Sequence, residues 1–334
     1  MGPLDHHSGL KTVPSKLSKS DPLRREWIFA ASDSPPQRLE KFLQKKFPGL
    51  SRRNIRVLIA EGLVLVNHQA ADKGCRLQAG DRLELWLPGP MEVYPVPDPA
   101  RNLTIIYQDK DLIVVNKPAL VPTHPLSPFE TGTLANALVS CFPELVGVGP
   151  KSLEAGLIHR LDTGTSGILV AGRNLVAWSQ LKQDLARRLW NKKYLALVPG
   201  IIEPKVVTLP LAHHPTDRRR MLALKDRKDP HRGRIFPAET RFRVLKRFRG
   251  FCLLEADLIT GVTHQIRVHL AEAGHPVVGD FLYGKERPPV FDLAPGRLFL
   301  HAAAVELIHP VTREKLLFQS GLPEDLLRIL ISIA

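Results

Sequence analysis

Apolar positions in the first part of the chain recur with a helical period and then with the period of a strand. The segment 38–47, "RLEKFLQKKF", places its apolar residues on one helical face and its basic residues on the other. Pro48-Gly49 ends this helix, and Ser51 caps a second one, "SRRNIRVLIAEG", which stops at Gly62. The runs "LVLVN" and "RLELWL" then predict short strands. Together these elements predict a compact module over residues 37–88.

Strand-like alternation dominates the rest of the chain. The run "LTIIYQDKDLIVVNKP" predicts a hairpin that turns at Asp109–Asp111. Further strand-like runs are "GILVAG", "KYLALVPG", "CLLEADLIT" and "LFLHAAAVEL", and "LVAWSQLKQDLARRL" and "QIRVHLAEAG" have helical patterns. Because strands and helices do not alternate strictly, the expected class is α+β, with a mixed, mostly antiparallel central sheet flanked by helices. We assign this second domain to residues 101–334.

The segments outside these two modules lack apolar periodicity. Residues 1–36 are rich in Ser, Pro and Lys, and we expect a disordered tail there. Residues 88–100, "PGPMEVYPVPDPA", contain five prolines, so 89–100 is predicted to be a stiff linker. No apolar run approaches the length of a membrane span, and no membrane association is expected. The three cysteines are widely spaced, which fits a reducing compartment, and we expect a cytoplasmic protein.

The balance of charge is strongly basic. The chain has 47 Lys plus Arg and 33 Asp plus Glu, a net charge of +14. Such an excess favours a polyanionic partner, with nucleic acid ahead of an anionic membrane, although it also serves solubility. Part of the excess lies on the two predicted N-terminal helices. Another part is the block from Arg218 to Arg249, with thirteen Lys or Arg against three carboxylates; we expect a loop there that follows a phosphate backbone.

The segment "HRLDTGTSGILV" places Asp162 at a tight turn before a buried strand. An Asp-Thr-Gly-Thr-Ser run also occurs in aspartic proteases, but those enzymes need a second such aspartate, and this chain has no second Asp-Thr-Gly or Asp-Ser-Gly. The adjacent Arg160 favours an ionised carboxylate, which suits a nucleophile or a charge stabiliser. From spacing alone, a residue that merely caps the turn is an equal alternative. His264 and His269 are five residues apart, a poor spacing for zinc, so no metal site is expected.

The N-terminal module resembles the alpha-L RNA-binding domain found in a small-subunit ribosomal protein, in some tRNA synthetases and in RNA-modifying enzymes. The resemblance lies in "RLEKFL", in "SRRNIRVLIAEGLVLVN" and in "AGDRLEL". It implies that four residues face RNA phosphates: Arg38, Ser51, Arg52 and Arg53. In the second domain, Arg218, Arg219 and Arg220 begin the basic block and are further candidates for RNA contact.

The second domain is similar to the RluA-type pseudouridine synthases. "HRLDTGTSG" is similar to the His-Arg-Leu-Asp, then Thr-Ser-Gly, signature of that family. In the same order along the chain follow matches to its other motifs: "NKPALVPTHP" before it, then "NKKYLALVPG", "ITGVTHQIRVHLAEAGHPVVGDFLYG" and "LHAAAVELIHP". These motifs span essentially all of residues 100–310, and members of the family often carry an N-terminal alpha-L domain.

The resemblance implies an RNA uridine isomerase that needs no metal or redox cofactor. Asp162 corresponds to the catalytic carboxylate, and Arg267 would pair with it and hold it ionised. Tyr194 would stack on the uracil and help to remove the final proton, while Arg160 would help to extrude the target nucleotide. The expected substrate-binding residues are His159, Arg160, Leu161, Thr165, His264 and Gln265. We expect a monomer acting on large-subunit ribosomal RNA or, second, on tRNA.

Four positions depart from the family pattern. Thr163 and Gly164 stand where polar or charged residues are usual, Leu120 where glycine is usual, and Val262 where arginine is usual. None of them is an expected catalytic residue, so they bear on substrate choice and efficiency. Two other functions remain open: a non-catalytic RNA-binding or ribosome-assembly factor, and an RNA glycosylase that breaks the same bond but releases uracil.

Overall fold

A computed structural model of the chain describes residues 23–28 (backbone only), 36–47, 52–87, 94–127, 130–150, 153–284, 291 and 293–334. The chain divides into two compact units, Met1–Met91 and Glu92–Ala334. Among the described residues, no helix is both long and apolar enough to cross a membrane.

The N-terminal unit packs two helices on a small antiparallel sheet. Its elements are β1 (Leu23–Ile28), β2 (Gln37–Arg38), α1 (Leu39–Lys46), α2 (Arg52–Ala60), β3 (Val64–Val66), β4 (Gln69–Ala70), β5 (Arg76–Leu77) and β6 (Arg82–Leu87). The helices bury Leu39, Leu43 and Ile55 against Leu83 and Leu85 of β6. The two helices and the strands that follow them therefore lie where the periodicity predicts them.

Strand β1 is a correction, because residues 1–36 were expected to be a disordered tail. Leu23–Ile28 pairs antiparallel with β6 along its whole length, from Leu23 opposite Leu87 to Ile28 opposite Arg82. Backbone pairing with an existing strand needs no apolar periodicity in the added strand, which is why the sequence pattern carried no signal. The remaining residues of the predicted tail, except Pro36, lie outside the described residues.

Part of the predicted linker belongs to the second unit. The Asn136 side chain donates to Val96 O at 2.7 Å, and Asp98 accepts from Gly132 N at 3.1 Å. Prolines limit the backbone without preventing it from packing, so residues 94–100 lie against the second unit instead of forming a free spacer.

The second unit is built on one large mixed sheet. Its strands are β7 (Thr104–Gln108), β8 (Leu112–Lys117), β9 (Ser166–Gly172), β10 (Asn191–Pro199), β11 (Lys205–Val207), β15 (Thr240–Phe248), β16 (Phe251–Leu258), β17 (Leu300–Ile308) and β18 (Lys315–Gln319). The order across the sheet is β11-β15-β16-β10-β17-β9-β8-β7, and β18 pairs with β17. The pairs are antiparallel except β9 with β17, which is parallel. The predicted α+β class is confirmed.

Helices cover the sheet and complete its cores. They are α3 (Leu134–Cys141), a 3-10 turn (Pro143–Leu145), α4 (Leu175–Ala186), α5 (Gln265–Glu272) and α6 (Glu324–Ser332). Helix α5 buries Ile266 and Leu270 in the main core, which also holds Ala196, Leu254 and Ala302 from the central strands. The site described below lies where α5, β10 and the start of β9 meet.

The basic block is not the loop that its composition suggested. Residues 218–249 contain β13 (Met221–Ala223), β14 (Arg232–Phe236) and all of β15. With β12 (Leu211–His213), strands β13 and β14 form a three-stranded sheet in the order β13-β12-β14. Leu211 and Met221 pack with Val268 of α5, so the small sheet has its own apolar contacts. Composition marked the turns of this block correctly but missed the strands between them.

Candidate active site

Asp162 lies in a turn that leads directly into β9. The turn is closed by a bond from Thr165 N to Asp162 O at 3.0 Å, and all of β9 after it is buried. The preceding residue, Leu161, is buried and is held by Thr123, whose hydroxyl donates to Leu161 O at 2.7 Å. The carboxylate itself keeps about 19% of its surface exposed. The fold therefore holds the backbone of Asp162 rigidly and leaves its carboxylate accessible.

Arg267 joins Asp162 to a second carboxylate. Arg267 Nη1 donates to Asp162 Oδ2 at 2.8 Å, while Nε and Nη2 donate to the two oxygens of Asp280 at 2.7 and 2.9 Å. Asp280 is fully buried and binds two nitrogens of the guanidinium, which fixes its orientation. The third nitrogen, Nη1, is left to bond to Asp162. Burial opposes the charge on Arg267, but Asp280 and Asp162 outweigh it and raise the pKa of Arg267 above its ordinary value. The contact that the resemblance implied between Asp162 and Arg267 is present.

Tyr194 comes from β10 and is buried beside Asp162. Burial, followed by the negative charge of Asp162, raises the pKa of the phenol well above its ordinary value. A phenol held neutral at physiological pH can stack and donate a hydrogen bond, but it is a poor base. The two expected roles of Tyr194, stacking on the uracil and help with proton removal, stay predictions.

His264 faces the other oxygen of Asp162 through a fixed ring. His264 Nε2 is 3.7 Å from Asp162 Oδ1, and its Nδ1 is 2.8 Å from the Tyr283 hydroxyl. Tyr283 in turn accepts from Met221 N at 2.8 Å, so the phenol is held between the small sheet and His264. Burial lowers the pKa of His264 although Asp162 opposes the shift.

A cavity of about 480 Å³ opens around these groups. That volume is in the range of pockets that hold small ligands, and it accommodates one nucleotide. The expected substrate-binding residues all line it: His159, Arg160, Leu161, Thr165, His264 and Gln265. The structure thus brings every one of them together with Asp162, Arg267 and Tyr194.

Two of the expected substrate-binding residues have environments that limit what they can do. Gln265 accepts from Thr260 Oγ1 and Val262 N and donates to Glu239 O and Thr240 Oγ1, so its amide holds the adjacent loop and is not free for a ligand. Burial lowers the pKa of His159 to about 3, so its imidazole stays neutral. We expect Gln265 to act on substrate indirectly, through the loop.

Two buried cations that sequence reasoning missed donate hydrogen bonds to the backbone of the turn around Asp162. Lys117 is fully buried and donates to Val121 O at 2.7 Å and to Thr163 O at 3.4 Å. Arg297, also buried, donates to Gly164 O at 2.9 Å and to Ser166 Oγ at 3.0 Å. Each is a single charge next to an apolar run, and this pattern indicates a buried cation without showing which group it contacts. Sequence reasoning also missed Asp280, a single acid next to an apolar run.

The structure shows the surroundings of three of the four positions that depart from the family pattern. A β-carbon on Gly164 would lie 2.1 Å from Gly296 O, so this turn leaves no room for a side chain there. Leu120 has φ +65°, in the left-handed region that favours glycine, and its N–H donates to Thr163 O at 2.6 Å. Val262 packs against the small sheet β12–β14.

The expected RNA-contacting residues are exposed where they are described, except Arg220, which is half-buried. Arg38 is exposed, and Arg52 is exposed with a bond to Gln44 at 2.9 Å; Ser51 and the side chain of Arg53 lie outside the described residues. In the second unit, Arg218 is exposed and Arg219 pairs with Asp217 at 3.2 Å. Arg220 differs from both, because its guanidinium lies 5.5 Å from the Tyr283 ring centre.

A group of Asp109, Asp111 and His309 lies away from the cavity and has ligand-like spacing. His309 Nδ1 accepts from Val311 N at 3.2 Å and from Thr312 N at 2.9 Å. Nε2 therefore carries the ring proton and donates to Asp109 at 3.0 Å. The imidazole has no free lone pair for a metal, so this group anchors the β7–β8 turn.

Comparison with known proteins identifies the family. A family model described as RNA pseudouridylate synthase matches residues 111–272, and one described as S4 domain matches residues 37–83. The chain is 34% identical over 305 residues to the uncharacterized RNA pseudouridine synthase YlyB of Bacillus subtilis, covering 91% of this chain and 96% of the relative. It is 34% identical over 312 residues to ribosomal large subunit pseudouridine synthase D of Pasteurella multocida, covering 88% and 90%.

A solved structure agrees with these matches. Human RNA Pseudouridylate Synthase Domain Containing 1 superimposes with a TM-score of 0.53 at 28% identity, covering 68% of this chain and 86% of the human one. The predicted resemblance and class of enzyme are confirmed. The chain therefore belongs to the RluA-type RNA pseudouridine synthases, a family of RNA isomerases, with an S4 domain preceding the catalytic domain.

Proposed function

We propose that this protein isomerises specific uridines of large-subunit ribosomal RNA, with Asp162 as the catalytic carboxylate. The observation that supports this most directly is the accessible carboxylate of Asp162, bonded at 2.8 Å to a buried Arg267 inside a nucleotide-sized cavity. The choice of RNA follows relatives named ribosomal large subunit pseudouridine synthase D, of which those from Pasteurella and Neisseria are 34% and 35% identical.

The reaction needs one bond broken, one bond formed and one proton moved. The bond between ribose C1′ and uracil N1 breaks, and a new bond joins C1′ to uracil C5. The C5 proton then leaves and N1 gains one, so no electrons are transferred and no redox cofactor is required. Positive charge that develops at C1′ is stabilised or trapped by the ionised Asp162 carboxylate.

The surrounding residues have separate tasks in this proposal. Arg267 bonds to Asp162 and orients its carboxylate, and Asp280 keeps Arg267 in place. Tyr194 stacks on the uracil as it turns, and its hydroxyl helps to pass on the C5 proton. Arg160, exposed at the rim, helps to draw the uridine out of its stack.

RNA is held outside the cavity by two basic surfaces in this proposal. The residues proposed to contact RNA are Arg38, Ser51, Arg52 and Arg53 in the first unit and Arg218, Arg219 and Arg220 in the second. Such contacts position the backbone and weaken as salt rises. We further propose that the protein acts in the cytoplasm as a monomer, which light scattering of the purified chain would test.

The test is the loss of one modification in cells that carry an Asp162→Ala protein. Carbodiimide mapping of ribosomal RNA should show a stop that is present with the parent protein and absent with the variant. Asp257→Ala removes a solvent-accessible acid and is the matched control; it should keep the stop. If mapping shows no difference in ribosomal RNA, the proposal fails, and a stop lost from tRNA would redirect it. Release of free uracil by the purified protein would support a glycosylase.

A further inference from the structure

A buried lysine without a partner lies in the same cavity as Asp162. Lys192 is only 7% exposed, and among the described residues its amine has no hydrogen bond or carboxylate partner. A buried ammonium normally has a partner, because desolvation of an unpaired charge is costly. Burial accordingly lowers the pKa of Lys192 to about 8. A partner from outside the chain would remove that cost.

The strand places Lys192 beside Tyr194. In β10 the side chains of residues 192 and 194 are buried while that of Lys193 between them is half-exposed, so the two buried ones share a face. Both line the cavity that contains Asp162. A β-carbon on Gly261 would lie 3.5 Å from Lys192 Nζ, which puts the amine next to the loop before α5. Lys192 is therefore the next residue on the same face of the strand as Tyr194, the residue expected to stack on the uracil.

The charges around Lys192 favour an anion. Arg160, Lys182 and Arg188 also line the cavity, and its only carboxylate among the lining residues is Asp162, already paired with Arg267. Lys182 is committed in part, since it donates to Ile158 O at 2.8 Å. The cavity walls thus carry more positive than negative charge, and a phosphate is the anion that each nucleotide of RNA brings.

A neighbouring cavity offers room for a ligand that extends beyond the first one. It has a volume of about 550 Å³ and is lined by Arg188 and Thr260, which also line the first cavity, and by Arg227 and Glu239. The Glu239 carboxylate is already paired with Arg241 at 2.8 Å. A uracil or ribose contact would end inside the first cavity. A phosphodiester, in contrast, joins the target nucleotide to the next one, which the second cavity can receive.

We propose that Lys192 binds a phosphodiester next to the target uridine and so fixes the depth at which the nucleotide enters the cavity. This inference rests on the proposed function for the identity of the polyanion, RNA. The amine of lysine binds phosphate as a compact point charge, without the planar geometry that arginine demands.

The test compares binding of a short synthetic hairpin RNA, with one uridine in its loop, to the full-length parent, Lys192→Met and Lys193→Met proteins. Lys193 is the matched control, because it is the next residue on the opposite face and pairs with Glu255 at 3.1 Å. Lys192→Met should weaken binding about tenfold or more and reduce the slope of log affinity against log salt by about one. Lys193→Met should change neither, and Lys192→Arg should keep the slope.

A neutral backbone separates the phosphate from other groups on the RNA. With methylphosphonates on both sides of the uridine, parent and Lys192→Met should bind equally. An undiminished difference on that RNA, or equal binding of the normal RNA, would overturn the proposal. Lys192→Met should unfold at the same temperature as the parent or a higher one; if it does not fold, Lys192→Gln replaces it. Absence of pseudouridine formation by the parent would instead count against the proposed function, because the binding comparison needs no turnover.

Discussion

We predict that Asp280→Asn destabilises the protein, because Asp280 forms a buried ion pair with Arg267. Asp280 is fully buried and accepts two bonds from Arg267, at 2.7 and 2.9 Å, and further ones from Leu282 N and Tyr283 N. Asparagine keeps the volume and one acceptor but puts an N–H opposite a guanidinium N–H. Removing one partner of a buried pair costs about 3–5 kcal/mol, and the retained acceptor places this change at about 3 kcal/mol.

Turnover by Asp280→Asn should fall as well, because the Arg267 guanidinium loses the carboxylate that orients it toward Asp162. A misplaced partner of this kind lowers the rate about 10- to 100-fold. Urea unfolding and single-turnover pseudouridine formation measure the two effects, and RNA affinity should stay unchanged. Glu203→Gln is the control: its pair with Arg247 is at the surface, where the loss is at most about 1 kcal/mol. An Asp280→Asn protein that matches the parent within about 0.5 kcal/mol and turns over at the parent rate would refute this reasoning.

Three further substitutions test the turn and the stacking residue. Gly164→Ala should lower the free energy of unfolding by about 1–3 kcal/mol and reduce activity, since the new methyl meets Gly296 O; calorimetry with an activity assay checks this. Leu120→Gly should be more stable than Leu120→Ala by about 1 kcal/mol, the reverse of the usual order, because alanine keeps the left-handed strain; equal melting temperatures would contradict it. Tyr194→Phe should slow the reaction without altering its pH profile between about pH 6 and 9, because burial and Asp162 raise the pKa of Tyr194 above that window; a lost limb in the profile would show that the phenol ionises.

Local signals made much of the fold predictable. The hairpin at Asp109–Asp111 turns there because Asp109 accepts from the N–H groups of Asp111 and Leu112, a bond pattern that short polar side chains form within their own turn. Helix α5 and strand β9 were likewise visible in their apolar spacing. The resemblance then added the pair of Asp162 and Arg267, which spacing alone left undecided.

The remaining features depend on contacts between distant parts of the chain. Asp280 could not be assigned to Arg267 without the fold, and Lys117 and Arg297 support the turn through backbone carbonyls that carry no sequence signature. Strand β1 and the strands in the basic block were missed for a related reason. Strands β1, β13 and β14 lie at sheet edges and β15 lies inside the large sheet, but all of them are specified by the neighbours they pair with, whereas composition describes only their own residues.

The parallel pairing of β9 with β17 has a consequence for how the protein is made. The turn that carries Asp162 is held by Gly296–Leu298 and by the start of β17, more than a hundred residues later in the chain. A nascent chain that has not yet reached Gly296 lacks all of these supports, and contacts of such long range slow folding. Most of the catalytic domain must therefore be synthesised before the turn that positions the Asp162 carboxylate is supported. We expect a chain cut short by a stop before Gly296 to be inert, and not to act on RNA indiscriminately.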